Sequence, residues 1–321
     1  MLTLLYNTSN YENNKLTKND TNMFEIELRL DSLYEALNNN SVIHLSFVTP
    51  FDTAMLAAFV KKNHLSKELI APNDNVASYL NTVDFYNLVW NEPRTNRQRS
   101  AGRSYCPLIE LSSPEQTDTA TTIIGNILER RCGDDAYSVT DVIGELIDNV
   151  WSHGKALGYA VAQVSGNEIC FAVVDIGKGF KNVLQEANIG GIHSDIDAIN
   201  WSIQKGHTSK GQEDEWAQSL PFDSYDNPFS SGVPIKEEEN HHEGLGLYKL
   251  VDLVQKTKGN LSILSGKGLK FIDADGDFDT ELKNHWQGVV IYCTLNIQNI
   301  KNALQESAGS DIDAILKEIL G

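Results

Sequence analysis

The sequence predicts an α+β protein: a mixed sheet covered by helices over residues 106–300, preceded by a small α/β domain over 1–105 and followed by a short helical tail, 301–321. Three observations predict it. The first ninety residues alternate β-prone and amphipathic stretches in the order β-α-β-α-β-α, which favours a small layered unit. Two amphipathic helix patterns, 118–133 and 138–154, then precede two strand patterns, GYAVAQVSG and EICFAVVDIG, the second nearly all apolar and so central in its sheet. Three further strand patterns, LSILSG (261–266), LKFIDA (269–274) and GVVIYCTLN (288–296), complete that sheet.

Composition narrows the function. A length of 321 residues suits two domains, and 41% hydrophobic residues suffice for ordinary cores. The formal charge of −18 argues against non-specific binding to nucleic acid or to an anionic membrane. Four cysteines without CxxC spacing read as reduced thiols of a cytoplasmic protein rather than a disulfide frame or a zinc site. The N-terminal MLTLLYNTSNYENNK lacks a basic n-region and is not expected to be a signal peptide; no apolar run is long enough for a membrane span.

Along the first domain, residues 6–22 are polar and Asn-rich, a loosely docked lead-in. FEIELRL (24–30) alternates apolar and charged residues, the pattern of a half-exposed strand, and Asp31 caps a short helix, SLYEALNN. SVIHLSFV (41–48) reads as the central strand. FDTAMLAAFVKKNHL (51–65) is a helix with Phe51, Met55, Ala58 and Phe59 on one side and Lys61 and Lys62 placed to suit its dipole. KELIAP (67–72) is a short strand and NDNVASYLNTVDFYNLV another helix. This order, with the turn through Thr49-Pro50 into a helix, resembles STAS domains, the small modules of anti-sigma-factor antagonists. The resemblance places Ser46 and Thr49 where such domains carry a phosphorylated hydroxyl; helix capping is the simpler use of both. Arg94, Arg97, Arg99 and Arg103 form a basic loop, solvated on the plain reading or an arm for an acidic neighbour on the sharper one.

In the second domain, CPLIELSS (106–113) is a strand and DTATTIIGNILERRCG (118–133) a helix closed by Gly133. The chemistry starts at SVTDVIGELIDNVWSHG (138–154). Ile143, Leu146, Ile147 and Val150 make an apolar stripe, while Glu145 and Asn149, four apart, share the opposite face. Ser138 and Asp141 have capping-box spacing. A carboxylate there can take a proton, and a carboxamide oxygen can bind a metal ion, although a solvated helix face uses the same residues. The strand EICFAVVD ends in Asp175-Ile176-Gly177-Lys178-Gly179, a carboxylate followed by a glycine turn that lets a flat ligand approach. Finally, Gly244-Leu245-Gly246 opens the amphipathic helix GLGLYKLVDLVQKTKG, whose first amides and dipole suit a phosphate.

ELIDN, DIGKG and GLGL, in that order, resemble the N box and the two glycine boxes of the GHKL superfamily of ATP-binding domains, which includes gyrase, MutL, sensor histidine kinases and anti-sigma serine kinases. The resemblance covers roughly residues 106–297 and implies the Bergerat α/β sandwich. It implies that Asn149 holds the Mg²⁺ bridging the ATP phosphates, that Asp175 binds the adenine amine, and that Gly177 and Gly179 let base and ribose pack closely. Gly244, Leu245 and Gly246 would offer amides to the phosphates, and Glu145 would orient or deprotonate the attacking group. Residues 180–243 correspond to the ATP lid, with a helix DIDAINWSIQKG and, at Thr208 and Lys210, groups placed to touch phosphate.

Two departures stand out. Where the family shows Gly-Thr at the last strand, this chain has Gly288-Val289, so the hydroxyl that supports the adenine-binding carboxylate is missing. There is also no room for a transducer domain after residue 297, nor an H-box helix before residue 106, which disfavours gyrase-type machines and sensor histidine kinases. The resemblance thus implies an ATP- and Mg²⁺-binding regulatory protein with a protein partner, nearest to the anti-sigma branch. Three activities stay open: a serine/threonine kinase, a slow ATPase switch, and a non-catalytic nucleotide sensor. The last stretch, SDIDAILKEIL, reads as a packing helix, with a docking element or a homodimer contact as the alternative.

Two metal-like patterns are set aside. Asp273, Asp275, Asp277 and Asp279 alternate in DADGDFDTE, but Phe278 and Asn284 stand where a calcium loop needs Gly and Glu, so a hairpin turn is expected. His241, His242 and Glu243 are adjacent, and adjacent side chains point apart.

Overall fold

A computed structural model describes residues 2–4, 18–94, 100–154, 156–207 and 246–309. The N-terminal unit comprises β1 (Leu2–Leu4), α1 (Lys18–Asn39), β2 (Ile43–Leu45), α2 (Pro50–Asn63), β3 (Ile70–Pro72), α3 (Asp74–Thr82) and α4 (Phe85–Trp90). Its three short strands pair in parallel in the order β1-β2-β3, with Leu2 beside Ile43 and Ile43 beside Ile70, so β2 is central as expected.

The second unit comprises β4 (Tyr105–Leu111), α5 (Pro114–Cys132), α6 (Tyr137–Gly154), β5 (Gly158–Ser165), β6 (Glu168–Asp175), α7 (Phe180–Glu186), α8 (Asp195–Ser202), α9 (Gly246–Thr257), β7 (Asn260–Asp273), β8 (Gly276–Asn296) and α10 (Ile297–Gly309). The sheet order is β4-β5-β6-β8-β7. Every pair in it is antiparallel, which corrects the expected mixed sheet. The physical reason lies in the β4–β5 connection. Two helices, α5 and α6, intervene rather than one crossover helix, and each reverses the chain, so β5 returns antiparallel to β4.

α1 corrects a second expectation. FEIELRL lies inside this helix and is not a strand, and Asp31 is internal rather than a cap. The buried residues Ile26, Leu30, Leu33 and Ala36 follow helical spacing, while Leu28 is exposed. Asp31 instead joins α1 to the β8 region, accepting a hydrogen bond from the Asn284 Nδ2 at 2.6 Å. The helix read over 73–89 is two helices, interrupted at Asp84 in a left-handed conformation (φ 68°).

α2 explains how the units join. Thr49 caps it through a capping box with Asp52, and Pro50 occupies its first turn, so Thr49 spends its hydroxyl on the helix. His64 ends it in a left-handed conformation. The sequence places one apolar side on this helix, yet Ala54, Leu56, Ala57 and Val60 are buried together with Phe51, Met55, Ala58 and Phe59. A helix apolar on all sides is buried on all sides. One apolar cluster runs without a break from α1 and α2 to Tyr159, Val161, Ala172, Val174 and Val290 on one face of the large sheet. The Phe51 and Tyr292 rings meet across this junction at 5.5 Å.

The opposite face of the sheet presents Ala160, Ala162, Phe171, Val173, Ile291 and Cys293 to α5, α6, α9 and α10. The result is three layers, with β5, β6 and β8 buried on both sides. α5 and α6 approach closely because each offers a glycine to a threonine of the other: Gly125 to Thr140 and Gly144 to Thr121.

The sheet's far edge also departs from expectation. LSILSG and LKFIDA are one strand, β7, bent by an irregularity at Gly266 rather than broken. The acidic run DADGDFDTE is the β7–β8 hairpin, as expected. Asp273 Oδ1 accepts hydrogen bonds from the amides of Asp275 and Gly276, and the buried Lys270 pairs with Asp277 and Asp279. The Arg97 and Arg99 positions, His241, His242, Glu243 and the SDIDAILKEIL stretch lie outside the described residues. No described helix is long and apolar enough to cross a membrane.

Because α2 belongs to both units, Phe51→Ala is expected to cost about 3–5 kcal/mol, the usual range for removing a buried aromatic ring. Urea denaturation followed separately by far-UV dichroism and tryptophan fluorescence should shift as one transition. An unchanged transition for the large sheet would contradict the shared core.

Candidate functional site

α6 brings the first group of site residues into place. Its apolar stripe (Ile143, Leu146, Ile147 and Val150) is buried against the sheet, as the spacing requires. The expected Ser138–Asp141 capping box is not used. A 3-10 turn, Asp134–Ala136, runs directly into the helix, and the Ser138 hydroxyl donates back to the Asp135 carbonyl. Glu145 and Asn149 then face the start of α9. Gly246 sits against both: a β-carbon there would lie 3.2 Å from the Glu145 side chain and 3.3 Å from the Asn149 amide nitrogen. A side chain at position 246 would press on both residues, so glycine favours the close approach of the first turn of α9.

Glu145 is not solitary. Lys249, one turn into α9, places its ammonium 3.3 Å from the Glu145 carboxylate, and both side chains are only about one-seventh exposed (15% and 14%). Asp141, one turn before Glu145 on α6, has its pKa raised by burial and pulled back by the Lys249 charge. Lys249 is therefore paired with one carboxylate of this helix face and acts through its charge on a second, the exposed Asp141. The sequence carried a signal for it: it is the lone cation in the first two turns of an otherwise apolar helix start, GLGLYKLV.

Asp175 is the second group. It ends the central strand β6, with Phe171 and Val173 preceding it on the same face. Burial pushes its carboxyl up to about 6, and the backbone amides of Gly177 and Val289 moderate the rise by donating to it. The Gly177 amide is 2.7 Å from Oδ1. These amides take over the support that the Gly288-Val289 departure appeared to remove. Gly288 itself is indispensable to the arrangement. Its φ is +102°, and a β-carbon would fall 2.2 Å from the Asp175 carbonyl oxygen and 2.7 Å from Oδ1. The Trp286 indole adds a hydrogen bond to the same carbonyl. Gly179, at φ +76°, starts α7, where the Ser265 hydroxyl accepts the Phe180 amide at 3.0 Å. Gly288 and Ser265 went unread as site residues because their partners are distant in sequence.

Asn149, Asp175, Gly177, Gly179 and Gly246 line one cavity of about 280 Å³. Its walls are largely apolar, with Leu146, Val173 and Ile291 among them, and Asp175 supplies an acidic floor. Trp201 and His207 close one side; their rings lie 4.4 Å apart, and His207 Nδ1 is 3.0 Å from the Trp201 carbonyl oxygen. Neither was expected, although a tryptophan in the polar stretch DIDAINWS was a usable signal. α8, which carries Trp201, is anchored where β7 bends. Gly266 has no side chain to obstruct the Asp195 carboxylate, which accepts the Lys267 amide at 3.0 Å.

Glu145 does not line the cavity; it stands one helical turn from Asn149, held by Lys249. Thr208, Lys210, Gly244 and Leu245 lie outside the described residues. Cys106, Cys170 and Cys293 are buried free thiols and Cys132 is a partly exposed one. Chemically, the cavity can take a flat, largely apolar ring with a donor aimed at Asp175, and the helix start at Gly246 is part of its lining.

A carboxyl with a raised folded pKa destabilises the fold while ionised. The cost is fully present above pH ~6 and shrinks as pH falls toward the unfolded value near 3.8. Asp175→Asn should therefore raise stability at pH 7.5, by at most about 3 kcal/mol from a shift of roughly two units. The gain over the wild type should fade between pH 6 and 4 in thermal melts. A pH-independent difference would contradict the assignment of strain to this carboxylate.

Comparison with protein-family models, with curated proteins and with solved structures gives no match to this chain.

Proposed function

We propose that the chain binds ATP with Mg²⁺ in the cavity between β6, α6 and α9, as a GHKL-type regulatory protein of the cytoplasm that acts on a protein partner. One observation carries this reading. Residues from three separate segments, Asn149, Asp175 with Gly177 and Gly179, and Gly246, line a single cavity. Their chemistry suits the ligand. An ionised Asp175 accepts a hydrogen bond from an exocyclic amine such as adenine's, and the turn Asp175–Gly179 leaves room for a ring against Val173 and Ile291.

The fit extends to the metal. Mg²⁺ keeps several waters and is commonly held through one or two protein groups plus phosphate oxygens. Asn149, beside Gly246 in the cavity lining, would offer its carboxamide oxygen to a phosphate chain running along the start of α9. When bound, Mg²⁺ would neutralise phosphate charge. The chain's own residues would orient the base, exclude water from it and face the phosphates with the α9 N-terminus.

For the reaction, transfer of phosphate to a partner's hydroxyl and ATP hydrolysis both need Glu145 as the orienting or proton-accepting group. A second reading, a nucleotide-sensing switch without turnover, draws on the Glu145–Lys249 pair, which keeps that carboxylate off the cavity wall.

Calorimetric titration tests the binding. In Mg²⁺, Asn149→Ala should weaken ATP binding by about tenfold or more, the worth of one charge-assisted contact, while adenosine binding stays unchanged. Unchanged ATP affinity in this variant would sink the reading. With labelled ATP and a candidate partner, label on protein supports a kinase. Free phosphate that disappears in Glu145→Ala supports an ATPase, and neither supports the sensor.

A further inference from the structure

We propose that Lys249 is the residue by which this site distinguishes a nucleoside triphosphate from a diphosphate, moving from Glu145 to the terminal phosphate and so freeing Glu145. The proposal rests on the reading that the cavity takes an adenine nucleotide. It starts from the spacing of two facing helices. Gly246 abuts both Glu145 and Asn149, whereas Lys249, three residues on, pairs with Glu145 and lies within the influence of Asp141. α9 therefore runs along α6 from Asn149 toward Asp141. A phosphate chain that leaves the cavity beside Asn149 and continues past Gly246 next meets Lys249.

The distance suits a lysine. Glu145 and Asn149 are four residues apart, about 6 Å along the helix, and a lysine side chain has four carbons over which to swing. The ammonium carries three donors, so Glu145 need not be its sole partner. The charges also explain why a lysine is needed. Asp141 and Glu145 form a paired acidic face at the end of the path, which would repel a terminal phosphate if Lys249 did not stand between. A diphosphate ends short of this point and leaves the Glu145–Lys249 pair intact. In a partly buried site such a contact is screened less than at the surface, so the extra phosphate is read as affinity. Lys249 is thus a positioning and specificity residue, acting on Glu145 through the pair they share.

The test is calorimetry with ADP and with the non-hydrolysable β,γ-imido triphosphate, both in Mg²⁺. The proteins are the full-length wild type, Lys249→Met, Lys249→Arg and Glu145→Gln. Wild type should prefer the triphosphate. Lys249→Met should lose that preference by about tenfold, one charged hydrogen bond's worth, with ADP affinity unchanged. Lys249→Arg should retain it, and Glu145→Gln should tighten triphosphate binding alone, because the ammonium no longer has to leave a carboxylate. Equal losses for both nucleotides in Lys249→Met, or no loss, overturn the proposal and leave Lys249 as a strut between two helices. If Lys249→Met does not fold, Glu145→Gln decides: unchanged triphosphate affinity overturns it. A wild type that binds neither nucleotide overturns the nucleotide reading itself, and this proposal with it.

Discussion

Strand β6 is the constraint on which the other parts depend. It is central in the sheet, its residues alternate between two cores, and its last residue is the carboxylate of the cavity floor. Ala172 and Val174 face the N-terminal helices, while Phe171, Val173 and Asp175 face α6 and α9. A slip of one residue in its pairing would send each side chain to the opposite face. Asp175 would then point into the junction with α2, where nothing could use it. Burial on both faces forbids that slip. The position of one acidic group is thus fixed by the packing of helices on both sides of the sheet, including those of the first unit.

The cavity is assembled by leaving side chains out. Gly288 lets the start of the last strand segment lie against Asp175, Gly179 turns the chain into α7, and Gly246 admits α9 to the polar face of α6. Each removes a β-carbon from a place where backbone and functional side chain meet at van der Waals contact or closer. Asp175 then sits in a setting that favours its neutral form, with two amides as partial compensation. A carboxylate kept at such a cost is ordinary for a binding site and unusual for a surface turn.

Much of this was legible in the sequence, and the failures have definite causes. Asn149, Asp175, Gly177, Gly179 and Gly246 could be read because each lies on a local feature, a helix repeat or a glycine turn, whose meaning does not require the rest of the chain. Gly288 could not. In sequence it marked a missing hydroxyl, and its role emerges from the backbone of Asp175, more than a hundred residues away. Lys249 and Trp201 were passed over for the same reason, since an ion pair and a cavity wall depend on helices meeting in space. In α1, FEIELRL alternates well enough for a strand, but the next residues, through Leu33 and Ala36, extend the set that is buried in a helix. The pattern was ambiguous over seven residues and settled over thirteen. Gly266 and Gly268 looked like a break between strands; they are where one strand bends to admit the start of α8.

The shared helix α2 carries a consequence for biosynthesis. Chains leave the ribosome from the N-terminus, and domains generally fold as units in that order. Here the first unit cannot finish on its own. The outer side of Pro50–Asn63 waits for cover from strands Gly158–Ser165 and Glu168–Asp175, which follow it by about a hundred residues. While those residues are being made, an apolar helix is left without its neighbour. The nascent protein therefore passes through an interval in which an apolar helix face is already synthesised, and the strands that will hide it are not.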